Sequence, residues 1–134
     1  MSLHSFELQK TIYAALDGNN ALSAVVSGVY DDVPEGANYP YVIVGEHTSN
    51  NFGSKTLDGL EYTLTIHIWS QYRGRKEVKE IAEIIYDALH DSSLSVSGAS
   101  LVNLRQEFET TLLDSDGITR HGVMRFRAVV FDSN

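Results

Sequence analysis

With 134 residues, no cysteine, and 43% hydrophobic against 21% charged residues, the chain is long enough to bury one core without disulfides or thiolate metal sites. Its formal net charge of −8 opposes non-specific adhesion to DNA or anionic lipid, so any basic patch acts only locally. The opening MSLHSFELQK lacks a basic n-region and an apolar h-region, and no apolar run approaches the ~18 residues of a membrane span, which reads as a soluble, unexported chain.

In chain order, Leu8, Ile12, Ala15 and Leu16 recur at helical spacing, and Gly18-Asn19-Asn20 supplies the stop. ALSAVV, Ala21 to Val26, follows Asn20 as an N-cap and predicts a further short helix ending at Gly28. The turn-rich VPEGANYP then leads into YVIVG, a buried strand of β-branched and aromatic residues. Glu46 to Gly59, polar and holding two glycines, predicts a long mobile connection with one stranded aromatic, Phe52.

LEYTLTIHIW alternates. Tyr62, Leu64, Ile66 and Ile68 share one face, and Glu61, Thr63, Thr65, His67 and Trp69 the other, which predicts a half-buried strand. Val78, Ile81, Ala82, Ile85 and Leu89 then take up helical spacing, with an apolar stripe packed on the sheet. Val102, Leu104, Gln106, Phe108 and Leu112 predict a further strand face. DSDG at Asp114 to Gly117 signals a tight turn into a last strand with Ile118, Met124, Phe126, Ala128 and Val130 inward and Thr119, His121, Arg125 and Arg127 outward. The sum is one α+β domain over 1–134: a mainly antiparallel sheet of about four strands packed by an N-terminal and a central helix, closing in a C-terminal β-hairpin.

Catalytic signatures are scarce. The five histidines form no HxxxH or HxH pair, and no nucleophile elbow, phosphate-binding loop or dinucleotide fingerprint follows any strand. DSDG lacks the further ligand positions of a calcium loop. Neither a metal nor another cofactor is implied. His67 stands out because Thr65, His67 and Trp69 share a strand face with Glu61. A polar interfacial face is the simpler reading of it than a catalytic base.

The basic run Arg73-Gly74-Arg75-Lys76 sits at the expected start of the central helix, where cations oppose the helix dipole at a cost of about 0.3–1 kcal/mol. Pairs at i, i+4 (Arg73 with Glu77, Lys76 with Glu80, Lys79 with Glu83) would leave the stretch Arg73 to Glu83 nearly neutral, too weak for reading DNA. Arg73, Arg75 and Lys76 therefore read as a docking cluster for carboxylates of a partner, or as a plain solvated helix start. Phe52 and Lys55 near the loop tip, with Asn50 and Asn51, form a second candidate docking element that orders on assembly.

Beyond these patterns the chain resembles a family. LQKTIYAALDGNNALSAVVSGVYDDVPEGANYPYVIVGE, YTLTIHIWSQYRGRKEVKEIAEIIYDAL and DSDGITRHGVMRFRAVV are similar, in order and spacing, to the tail completion or tail terminator proteins of long-tailed bacteriophages, prophages and gene transfer agents. The resemblance implies a non-enzymatic structural protein. It implies a homo-oligomeric ring, usually hexameric, that caps the tail tube, stops its growth and joins tail to head. Its partners would be the tail tube protein and head-tail connector proteins, with DNA passing through unbound. It would assemble in the bacterial cytoplasm and end in the virion tail. Two other classes remain open from the residues alone. A nucleic-acid-binding module needs Arg73, Arg75, Arg105, Arg125 and Arg127 to converge, and a small hydrolase needs His67 beside a carboxylate and a pocket.

Overall fold

Leu8, Ile12 and Leu16 lie fully buried on one stripe of helix α1 (Ser5–Asp17). The helix stops where Gly18 donates its N–H back to the Ala14 carbonyl at 2.9 Å. A single turn follows as α2 (Asn20–Ser23), capped by Asn19 and not by the expected Asn20: the Asn19 side chain accepts from the Leu22 N–H at 2.9 Å. The computed structural model describes residues 3–53 and 58–132.

The sheet has five strands and not four. β1 (Val29–Tyr30), β2 (Tyr41–Asn51), β3 (Gly59–Ser70), β4 (Ala99–Leu113) and β5 (Arg120–Asp132) lie in the order β1-β2-β3-β5-β4. The added strand, β1, is two residues long and pairs in parallel with Val42 and Ile43, too short to leave a periodic signal. All other pairings are antiparallel. Between β3 and β4 the chain crosses over through α3 (Lys76–Leu89), so β3 and β4 run parallel on either side of β5.

The helices contact the sheet on the side where Tyr62, Leu64, Ile66, Ile68, Met124, Phe126, Ala128 and Val130 point, forming one core. All five residues of the predicted α3 stripe are buried there, with Val78, Ile81, Ile85 and Leu89 each contributing about 1.5–3 kcal/mol. Gly122 makes the close approach of α3 possible: a Cβ at that position would lie 2.6 Å from Val78 Cγ1.

Three predicted stretches differ. Polar composition assigns 46–59 to a connection, yet β2 runs on to Asn51, with Asn50 opposite Glu61 and Asn51 opposite Leu60, and the Phe52 N–H reaches the Gly59 carbonyl at 2.8 Å. This arm lies beyond the core, so its ladder forms through backbone groups while its side chains, all exposed from Glu46 to Asn51, carry no apolar pattern. On β4, bulges at Val102 and Glu107 each insert an extra residue and flip the parity. Leu104 and Gln106 sit opposite inward-facing Ala128 and Phe126, whereas Phe108 and Leu112 fall opposite outward-facing Arg125 and His121. Ile118 belongs to the turn and is exposed. The hairpin itself forms as predicted: the Gly117 N–H bonds the Asp114 carbonyl at 3.0 Å, and the Asp116 carboxylate accepts from Ile118 N, Thr119 N and Thr119 Oγ1.

Candidate functional site

Antiparallel register places directly opposed residues on the same side of a sheet. The face away from the helices therefore reads in rungs: Tyr41, Trp69, His121 and Leu112; then Ile43, His67, Val123 and Thr110; then Thr65, Arg125 and Phe108; then Thr63, Arg127 and Arg105. Thr65, His67 and Trp69 share this face as predicted, and Thr65 is buried between its neighbours.

At its centre, three titratable groups join in a chain. The Glu46 carboxylate lies 2.8 Å from His67 Nε2, and His67 Nδ1 lies 2.7 Å from His121 Nε2. The His121 ring stacks on the Trp69 indole, centroids 3.9 Å apart and planes 9° from parallel. A β-bulge between Val44 and His47 brings Glu46 into reach, and Gly45 clears the way: a Cβ there would lie 2.7 Å from His67 Cδ2. The hydrogen bond from His67 holds the Glu46 carboxyl below its usual range, while burial, then the nearby His67, holds the His121 imidazole below its own.

Down the same face, Arg125 lies over the Phe108 ring at 4.7 Å and Arg127 over the Phe52 ring at 5.4 Å, with Arg127 also paired to Glu61. Asn50 and Asn51 flank this region on β2. Lys55 lies outside the described residues.

The basic run is arranged otherwise than expected. α3 begins at Lys76, so Arg73 and Arg75 occupy the preceding turn, where Gly74 takes φ 103°, a value suited to glycine. Glu77 accepts from Ser70 Oγ at 2.6 Å and, among the described residues, forms no ion pair with Arg73. Of the three predicted pairs only Lys76–Glu80 is present among the described residues, at 3.9 Å. Arg73, Arg75 and Lys76 are all exposed.

Of the five arginines needed for a nucleic-acid surface, Arg105, Arg125 and Arg127 share the helix-free face, but Arg73 and Arg75 do not join them. Arg105 is held by Asp91 at 2.9 Å and Arg127 by Glu61. The Arg73–Lys76 turn follows Ser70, which pairs with Arg120, five residues and roughly 17 Å along β5 from Arg125. The hydrolase reading gains the carboxylate it needs beside His67, but the clefts lie elsewhere, the one between α3 and β4 being about 330 Å³ and lined by Lys79, Glu83, Tyr86 and Glu109. Among the described residues no three His, Cys, Asp or Glu side chains are placed to hold a metal.

Sequence reasoning missed Glu46, Phe108 and Tyr41 as members of this face, and it read His121 as outward without joining it to His67. The outward parity of His121 and Arg125 was visible, but their juxtaposition with His67 depends on the β3–β5 register, and Glu46 depends on the bulge.

These features define a small α+β protein whose distinctive side chains lie on an open sheet face. The chain belongs to the tail completion protein gp17 family, whose model matches residues 10–131. Tail completion protein gp17 of Bacillus phage SPP1 is 28% identical over 128 residues, covering 96% of this chain and 95% of that protein. A solved structure of bacteriophage SPP1 gp17 superposes with a TM-score of 0.66 at 27% identity, covering 99% of this chain and 93% of that one. A chain in the virion of a native gene transfer agent particle superposes with a TM-score of 0.90 at 26% identity, covering 98% of this chain and 99% of that one. The fold class expected from the sequence thus stands with one strand added, and the family resemblance is established over nearly the whole chain.

Proposed function

We propose that this chain completes a phage, prophage or gene-transfer-agent tail by closing with copies of itself into a ring, hexameric as the family resemblance implies. The ring sits on the end of the tail tube, stops its growth and joins the tail to the head. The tail tube protein and head-tail connector proteins are its partners, DNA passes without specific binding, and assembly takes place in the bacterial cytoplasm. No step of this role calls for catalysis.

The observation that carries the reading is the helix-free face. Trp69, Tyr41, Phe108 and Arg125 are the residue types enriched where proteins meet, and here they form one surface. Beside it β4 presents a 15-residue open edge, with Val102, Leu112 and Leu113 more than half or about half exposed. Charge supports a head-to-tail contact: Arg125 lies on the sheet face, whereas the exposed Glu80, Glu83 and Asp87 of α3 lie on the helix layer. Such heterologous contacts generate rings when the rotation closes. Asn50, Asn51 and Phe52 extend the face, Lys55 follows them in sequence, and Arg73, Arg75 and Lys76 supply a separate cationic docking point for tail or neighbouring carboxylates.

Mass measurement by light scattering over a wide concentration range, with and without purified tail tubes, tests the reading. A closed oligomer under either condition supports it, and a strict monomer under both overturns it.

A further inference from the structure

We propose that Glu46, His67, His121 and Trp69 form a proton-operated switch, in which the histidine pair takes up one proton within its N···N contact and a second proton drives His121 off the indole. The proposal concerns the isolated subunit and does not depend on ring formation.

The geometry sets the proton positions. With Glu46 ionised, His67 donates Nε2–H to the carboxylate and its Nδ1 is left as an acceptor, so at 2.7 Å His121 donates Nε2–H to it. When solvent supplies one proton to His121 Nδ1, the Nε2 proton passes to His67 Nδ1, and the contact survives as His67 Nδ1–H donating to His121 Nε2. The added positive charge sits between the Glu46 carboxylate and the Trp69 ring face, both of which favour it. A second proton has only His121 Nε2 to bind. Two N–H groups would then face each other across 2.7 Å, both rings would be cationic, and the contact cannot persist.

The surrounding charges fix the order of events. From β2 comes Glu46, from β5 Arg125, and from the turn before β5 Asp114. The two carboxylates favour the first proton. Partial burial and then His67 already charged oppose the second. Above the transition a partner on this face meets a stacked, neutral or singly charged aromatic cluster. Below it the partner meets two imidazolium ions and a bared indole.

Trp69 is the sole tryptophan, so its emission reads the stack directly. Fluorescence of the isolated subunit, followed from pH 8 to 4.5 with far-UV circular dichroism as the folding control, should show a transition below pH 6.5 that His121→Gln abolishes. His67→Gln should also abolish the transition, because it removes the opposing N–H and the like charge and leaves a protonated His121 in place on the indole, and Glu46→Gln should lower the midpoint, because the stabilising carboxylate is lost. Imidazole NMR of the wild type should show His67 and His121 shifting together. The proposal is overturned if emission is flat over this range in the folded wild type, if either His121→Gln or His67→Gln leaves the transition in place, or if Glu46→Gln raises the midpoint or leaves it unmoved.

Discussion

Gly122→Ala tests the contact that positions α3, and with it the Arg73–Lys76 turn, on the sheet. The new Cβ would lie 2.6 Å from Val78 Cγ1 and 3.2 Å from Ile68 Cβ, about 1 Å and about 0.5 Å inside the optimal separation of two carbon atoms. Two terms compete. Removing a strand glycine restricts the unfolded chain and stabilises by about 0.4–1 kcal/mol, whereas overpacking costs about 1–3 kcal/mol. The clash wins because both obstructing atoms are held: Val78 is buried on α3 and Ile68 is buried on β3. A net loss of about 1–2 kcal/mol, set against an unfolding entropy of about 0.28 kcal/mol/K for 134 residues, lowers Tm by about 4–7 °C. Thermal denaturation followed by circular dichroism measures this. Val78→Ala alone costs about 2 kcal/mol in lost burial and cavity, but it opens the space the new methyl needs, so the double variant should be better than additive by at least about 0.5 kcal/mol. A Gly122→Ala protein as stable as the parent, or a strictly additive double variant, would refute the close helix–sheet contact.

Replacing Arg73, Arg75 and Lys76 together by Gln should leave Tm unchanged or slightly raised, since cations at the start of α3 oppose its dipole, while weakening assembly in a salt-sensitive manner in light scattering. Loss of folding would instead assign these residues a structural role. Tyr62 is fully buried and its hydroxyl has no hydrogen-bond partner among the described residues, so Tyr62→Phe should stabilise by about 1 kcal/mol in urea titration, and a loss of stability would show that the hydroxyl is satisfied. The Asp116 carboxyl is held below its usual range by the Thr119 hydroxyl and by backbone N–H groups, so its contribution is present above about pH 4 and lost as pH falls through the lowered folded value. Asp116→Asn should therefore lower Tm at pH 7 and flatten the acid limb of the Tm–pH curve, and an unchanged acid limb would exclude the turn as a source of acid sensitivity.

What was legible in the sequence was whatever a period records. The stripes of α1 and α3 and the alternation of β3 are each imposed by a single core face, so every residue in them obeys one rule. β1 escaped because two residues carry no period, and the β2 arm because its ladder is made by backbone groups outside the core. On β4 the alternation was real but interrupted, and a bulge is invisible without its partner strand. The candidate face followed the same division. Thr65, His67 and Trp69 were aligned by parity along one strand. Joining them to Glu46 and His121 required the register between strands, which no local pattern encodes.

The strand order has a consequence for how the chain is made. β5, residues Arg120–Asp132, is last in sequence but lies between β3 and β4, and it bonds both along nearly their full lengths. A nascent chain that has emerged only as far as the Asp114–Gly117 turn can form α1, the β2–β3 hairpin and α3, yet β4 has nothing to pair with and β3 shows a bare edge. Closure of the sheet must wait for the final strand to leave the ribosome, because the non-local pairings on both sides depend on it. During that interval Leu60, Ile66 and Ile68 stand beside open backbone donors and acceptors, and a lesion in β5 prolongs the exposure rather than merely weakening the finished fold.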